Sequence, residues 1–360
     1  MRHVRALAEV GDVVTCGFGP KPPGTVEHLR VEEVPSLPQT PAGVAMLATR
    51  RLRRAERSAP AVRQAGALLR GRSYDLVVAN DARALPTAFD AAAGAPVWAD
   101  MHEWAPQERS HDWRWRLLVG PLATHLCRTY LPRAAAVTTV SEPIAAMYRS
   151  SFGVACSVVR NTAPFVDLSP SPVDGDRVRL VHSGGAVPGR DLESLVEATI
   201  RLPDRFTLDL YLVPGGDGGR YLRQLRAAAV GHDRVCFHDP VAPEELPTVL
   251  NRYDVGVYSI PPTNVNMANA LPNKFFDFVQ ARLALVVGPT PEMARLVRDN
   301  GLGLVADDFG AEALVRALQQ LDQGRLSAAK AASDAAAREL SAEQDGAHVR
   351  CIAERLTRGE

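Results

Sequence analysis

The chain has 360 residues, 41 Lys+Arg against 41 Asp+Glu, and 46% hydrophobic residues. This length calls for two domains, since one core stops growing at roughly 250–300 residues, and the composition excludes wholesale disorder. The zero net charge excludes a nucleic-acid binder driven by a global positive field, and no apolar run approaches the ~20 residues of a membrane span.

The start, MRHVRALAEVGD, has acidic residues and no separate apolar core, so it does not read as a signal peptide. It reads as a helix over Arg2–Val10, followed directly by a strand at Val13–Cys16. A doubly wound domain opens with strand, Gly-rich turn and helix. The opening strand and its loop are therefore expected to be missing. Short apolar strands follow at Leu76–Ala79, Pro96–Ala99 and Ala136–Val140, alternating with helical patterns over Gly43–Arg72, Leu85–Ala92 and Trp113–Leu131.

Asn161–Asp176, NTAPFVDLSPSPVDGD, holds three prolines and no helical period, so it reads as a linker. Beyond it, strands are expected at Val178–His182, Thr207–Val213, Val235–His238, Val255–Ser259, Ala284–Gly288 and Gly303–Val305. The helices between them are Asp191–Arg201, Gly219–Val230, Pro243–Arg252, Lys274–Gln280, Pro291–Asp299 and Ala311–Asp322. Such alternation indicates α/β domains with parallel sheets covered on both faces. The expected organisation is one domain over residues 1–160, the linker 161–176, a second domain over 177–335, and a C-terminal helix within 336–360 placed to pack back across the linker.

The five cysteines, Cys16, Cys127, Cys156, Cys236 and Cys351, form no CxxC pair and no zinc spacing, so buried free thiols in a reducing cytoplasm are expected and no metal site is. Lys21, Lys274 and Lys330 are the only lysines among many arginines, which draws attention to each. Lys274 lies in NALPNKFFDFVQARLALVVG, Asn269–Gly288. There Pro272 and Asn273 open a helix whose free N–H groups, with Lys274, suit a diphosphate, and Asp277 one turn on can accept from ribose hydroxyls. A solvated lysine and a carboxylate at the positive helix end are the plainer alternative for an isolated PNK. A second glycine-rich turn, VHSGGAVPGRD at Val181–Asp191, offers Gly184 and Gly185 for close backbone approach and Arg190 for phosphate oxygens. A plain tight turn is its alternative. Neither GxGxxG nor GxxxxGK[ST] occurs, which counts against dinucleotide oxidoreductases and P-loop enzymes.

In order and spacing these pieces resemble the retaining glycosyltransferases of family 4. The matching passages are Val137–Phe165, the SGG turn, RVCFHDPVAPEELPTVLNRYDVGVY at Arg234–Tyr258, LPNKFFDF, and Pro291–Val305. The resemblance implies a GT-B fold, two Rossmann-like domains with a nucleotide-sugar held in the cleft between them. It places Asp277 at the second acid of the family's E-x7-E motif, on the donor ribose. The first acid position falls on Asn269, so the motif is degenerate. Lys274 and Arg190 fall near the family's diphosphate contacts. WADMHEWAPQE, Trp98–Glu108, resembles its cleft-facing histidine loop, with His102 at the donor sugar or acceptor and Glu103 orienting it. A structural histidine is the alternative there.

The implied activity is a hexosyltransferase-type transfer from a nucleotide-sugar to an acceptor hydroxyl, retaining and metal-independent, with no cofactor beyond the nucleotide-sugar itself. The acceptor is left open among glycan, lipid-linked and small-molecule compounds. A nucleotide-sugar epimerase, or a non-catalytic nucleotide-sugar-binding protein lacking the opening loop, is the alternative. Asp307 and Asp308 imitate a metal-binding acid pair, but their place between strand and helix predicts helix capping. The Arg-rich stretches Arg50–Arg72 and Arg109–Arg133 suit weak peripheral contact with an anionic membrane, with solvated amphipathic helices as the plainer reading.

Overall fold

In the computed structural model, which describes residues 2–359, the apolar runs become strands of parallel sheets in two units. The first unit comprises the chain up to Arg160, the segment Asn264–Ala270 and the tail from Asp345. The second comprises Asn161–Thr263 and Leu271–Gln344.

In the first unit, β1 (Val14–Gly17) and β2 (Glu27–Arg30) form a two-stranded parallel sheet of their own. β3 (Val77–Asn80), β4 (Val97–Met101), β5 (Ala136–Thr139) and β6 (Ser157–Val158) form a four-stranded sheet in that order, again parallel. Every residue of β4 is buried, as expected for a strand covered on both faces. The C-terminal helix Ala342–Arg358 belongs here: its Val349 and Leu356 join Ala6, Trp98 and Val159 in one buried cluster.

The second unit carries β7 (Val178–Ala186), β8 (Phe206–Pro214), β9 (Val235–His238), β10 (Val255–Tyr258), β11 (Ala284–Val287) and β12 (Gly303–Val305). Their order is β12-β11-β10-β7-β8-β9, with all pairings parallel. This is the doubly wound order, whose direction reverses between β7 and β10; such sheets bind ligands beyond the carboxyl ends of the strands at that reversal. Gly256 in β10 seats the helix Asn273–Gln280 against the sheet, because a Cβ there would lie 2.5 Å from the Phe278 ring. Residues 161–176 form no regular element yet are fastened to this unit. Val166 N–H donates to Gln280, Val166 C=O accepts from the buried Arg282, and Ser171 accepts from the buried Lys330.

The structure departs from the sequence expectations in identifiable places. The pattern over 43–72 divides into helices Pro41–Ala48, Leu52–Ala55 and Pro60–Leu69. Arg50 takes a positive φ of 58°, and Pro60 can open a helix but not continue one. Likewise 113–131 breaks into Trp113–Leu118 and Gly120–Tyr130, with Pro121 opening the second. The strand at Val14–Gly17 is half-buried, not buried, because it pairs only with β2. Cys127 and Cys156 are buried, but Cys236 and Cys351 are exposed, the former on the edge strand β9. The helix Ala311–Gln319 is capped by Gly310, not by Asp307 or Asp308; Asp308 accepts from Phe309 N–H, and Asp307 faces Arg316 at 3.7 Å.

Candidate functional site

At the carboxyl end of β7 the strand runs on through Ser183, Gly184 and Gly185 to Ala186, paired residue by residue with β8. The two glycines thus lie in a strand, and the turn begins only at Val187. A Cβ on Gly184 would stand 3.5 Å from His182 Nε2, 3.7 Å from Lys274 Cε and 3.9 Å from Arg190 Nη1. Glycine here leaves open the point where these three side chains meet. Arg190 Nη1 donates to Gly185 C=O at 3.3 Å, and Lys274 Nζ pairs with Asp277 Oδ2 at 3.2 Å. Pro272 holds the N-cap position of the helix Asn273–Gln280, and Asn273 Oδ1 accepts from Asn161. The first turn of that helix presents free N–H groups beside a cation, an arrangement suited to an anion.

His182 is fully enclosed. Its Nδ1 lies 2.8 Å from Val257 C=O in the neighbouring β10, while its Nε2 has no partner. Burial, with Arg190 and Lys274 nearby, lowers its pKa to about 4, so the ring is neutral around pH 7.

In the first unit a different chemistry stands at the end of β4. Asp100 is buried; its Oδ1 accepts from Thr138 Oγ1 at 2.6 Å, and Trp98 Nε1 donates to the same hydroxyl at 2.8 Å. Its Oδ2 lies 3.0 Å from both His3 Nδ1 and His102 Nε2. Burial alone would raise the Asp100 pKa, but the two imidazoles hold it well below the usual carboxylate range. The hydrogen bond with Asp100 raises that of His102. Asp81 accepts from His102 N–H at 3.0 Å and takes a positive φ of 66°, a backbone state costing on the order of 1–3 kcal/mol in a non-glycine residue. Burial raises the pKa of both Asp81 and Glu103.

Asp81, His102 and Glu103 rim a cavity of about 120 Å³ walled by Leu37, Trp115, Val119, Leu122 and Leu126. The loop after His102 is clamped from two sides. Tyr148 OH donates to Glu103 C=O at 2.6 Å, and Asn266 Oδ1 accepts from Trp104 N–H at 2.6 Å while its Nδ2 donates to Glu103 Oε2 at 3.1 Å.

Of the residues singled out in the sequence, Gly184, Gly185, Arg190, Lys274 and Asp277 therefore gather in the second unit, with Pro272 and Asn273 opening their helix. His102 and Glu103 stand at the first unit's cavity. Asn269 falls in the first unit, where it ends the helix Val265–Asn269, its amide donating to Val265 C=O and its carbonyl accepting from Ser141. Sequence reading missed His182, although it sits two residues before Gly184 in the quoted motif. It also missed Asp100, Asp81, His3 and Asn266, which assemble only through the fold. Among the described residues no three His, Cys, Asp or Glu side chains are grouped to hold a metal ion, and no helix is long and apolar enough to cross a membrane.

Solved structures share this architecture. HepE of Anabaena, in complex with UDP and glucose, superposes with a TM-score of 0.66 at 16% identity, over 99% of this chain and 95% of that one. Sucrose-phosphate synthase of Thermosynechococcus elongatus gives 0.68 at 15% identity, over 100% and 92%. The pneumococcal O-GlcNAc transferase GtfA, in complex with UDP and GlcNAc, gives 0.60 at 14%, over 82% and 60%. The fold is GT-B. The profile described as Glycosyltransferase Family 4 matches residues 2–169, and that described as Glycosyl transferases group 1 matches residues 177–323. The chain is thus a GT-B glycosyltransferase of family 4/group 1. No curated protein matches it in sequence.

Proposed function

We propose that the protein transfers a hexosyl group from a nucleotide-sugar to an acceptor hydroxyl, with retention at the anomeric carbon and without a metal ion. The observation that carries this reading is the meeting of Arg190, Lys274 and the open Gly184–Gly185 backbone at the strand-order reversal of the second unit. Charge accumulates on the departing diphosphate as the glycosidic bond breaks, and two fixed cations with helix N–H groups stabilise it without rearranging. Asp277 serves the ribose. The UDP and UDP-sugar complexes of HepE, and the UDP complex of GtfA, favour a uridine donor. On the acceptor side, the cavity beside His102 joins apolar walls to carboxylates that accept from hydroxyls, with Asp100 holding the imidazole in place.

The test is UDP release from UDP-glucose with a panel of hydroxyl acceptors, with and without EDTA, and the anomeric configuration of the product by proton NMR. Acceptor-dependent, EDTA-insensitive release with an α-linked product is expected. An epimerised donor formed without acceptor would overturn the reading. Membrane contact is a second partner reading, favoured by Trp113 and Leu117, which are 59% and 54% exposed on a helix that also carries Arg114 and Arg116. Co-flotation with anionic but not neutral vesicles is its expected outcome.

A further inference from the structure

We infer that His182 reads the sugar end of the donor: its Nε2 accepts a hydrogen bond from a sugar hydroxyl lying next to the diphosphate, so that the site separates a nucleotide-sugar from a bare nucleoside diphosphate. This rests on the nucleotide-sugar reading above and adds to it the group that recognises the sugar.

The tautomer follows from the fold. A carbonyl only accepts, so the 2.8 Å contact with Val257 C=O places the proton on Nδ1; in the neutral ring, Nε2 is then a bare acceptor. The side chain is 1% exposed and this nitrogen is unpartnered. Buried polar atoms are rarely left so, and each one asks for a reason. Leu180 and Val181 fill the preceding buried positions of β7 with apolar side chains, and the polar stretch begins at His182, followed by the likewise buried Ser183.

The direction of the lone pair supplies a reason. Nε2 faces the space above Gly184 that Lys274 and Arg190 also flank. A ligand atom seated on the Gly184 backbone would meet the imidazole and both cationic side chains together. The phosphate oxygens of a nucleotide-sugar diphosphate carry no proton at neutral pH and give a neutral imidazole nothing to accept. A hydroxyl of the attached sugar does.

The experiment is calorimetric titration of the full chain with UDP-glucose, GDP-mannose and ADP-glucose, each beside its own diphosphate. A wild type that binds none of them ends the donor reading itself, and the inference with it. With a binding pair in hand, His182→Phe keeps a ring and removes the acceptor. Its Kd for the nucleotide-sugar should rise about tenfold while that for the diphosphate stays constant. His182→Gln, which offers an amide acceptor, should recover part of the loss. Donors lacking single hydroxyls locate the partner: one deoxy donor should bind the wild type more weakly, and that loss should vanish in His182→Phe. Equal weakening of sugar and diphosphate, or no weakening of either, overturns the inference. If the Phe variant does not fold, a wild-type deoxy series with no weakened member overturns it as well.

Discussion

β4 of the first unit ends in a buried carboxylate held between two imidazoles, whereas β7 of the second ends in two glycines flanked by Arg190 and Lys274. Both sheets are parallel, and both place polar groups at their carboxyl ends, yet the signs of charge differ. Asp81, Glu103 and Glu108 stand at the first unit's cavity beside Arg83, which pairs with Glu108, so that cluster is mainly acidic. The second unit's Arg190 and Lys274 make the other cluster cationic. One architecture thus carries two side-chain chemistries, decided by a handful of residues at strand ends.

The comparison can be broken most severely at Asp100. Asp100→Leu leaves Thr138, His3 and His102 without their acceptor and should destabilise the first unit by about 3–5 kcal/mol, the usual cost of breaking a buried pair. Nucleotide affinity of the second unit should survive below the melting temperature. Differential scanning calorimetry with titration at low temperature checks both; loss of both together would show that the sites are not separable.

Acid should act on the two histidines with opposite sign. His182 has its pKa lowered to about 4, so the unfolded state binds its proton first. Stability is full above about pH 6.5 and falls by roughly 3 kcal/mol as pH drops to about 4. His102 has its pKa raised; its contribution is full below about pH 6.5 and is lost as pH rises through the folded value. Urea unfolding across pH should lose its acid slope in His182→Phe and its alkaline slope in His102→Phe.

Smaller effects sharpen the assignment. Lys274→Ala should weaken nucleoside diphosphate binding roughly 10–100-fold, the range for a lost hydrogen bond to a charged group, while His102→Ala leaves it unchanged. Asn266→Ala removes the acceptor for Trp104 N–H and the donor to Glu103. It should cost about 1–2 kcal/mol in stability and slow acceptor-dependent turnover without changing diphosphate affinity.

Much of the fold was legible because strands buried on both faces are written as unbroken apolar runs, such as LVVA at 76–79 and ALVVG at 284–288. β2 (EHLR) and β6, two residues long, lack that signature and were invisible. β7 was read too short because glycines signal a turn locally, while nine paired residues of β8 hold this stretch extended. In the second unit the site lies in two short motifs, so Arg190, Lys274 and Asp277 could be picked out by type and spacing. In the first it draws on His3, Asp81, Asp100 and Asn266, which no local pattern links. Asn269 shows the same limit: its place in the motif said nothing of the excursion that carries Asn264–Ala270 into the first unit.

That excursion, with the tail helix, sets the order in which the molecule can be finished. Domains generally fold as they leave the ribosome, the N-terminal one first. Here the second unit has all its residues once Gln344 has been made, whereas the first still awaits Val349 and Leu356 to cover Ala6, Trp98 and Val159. The half of the protein translated first is the half completed last.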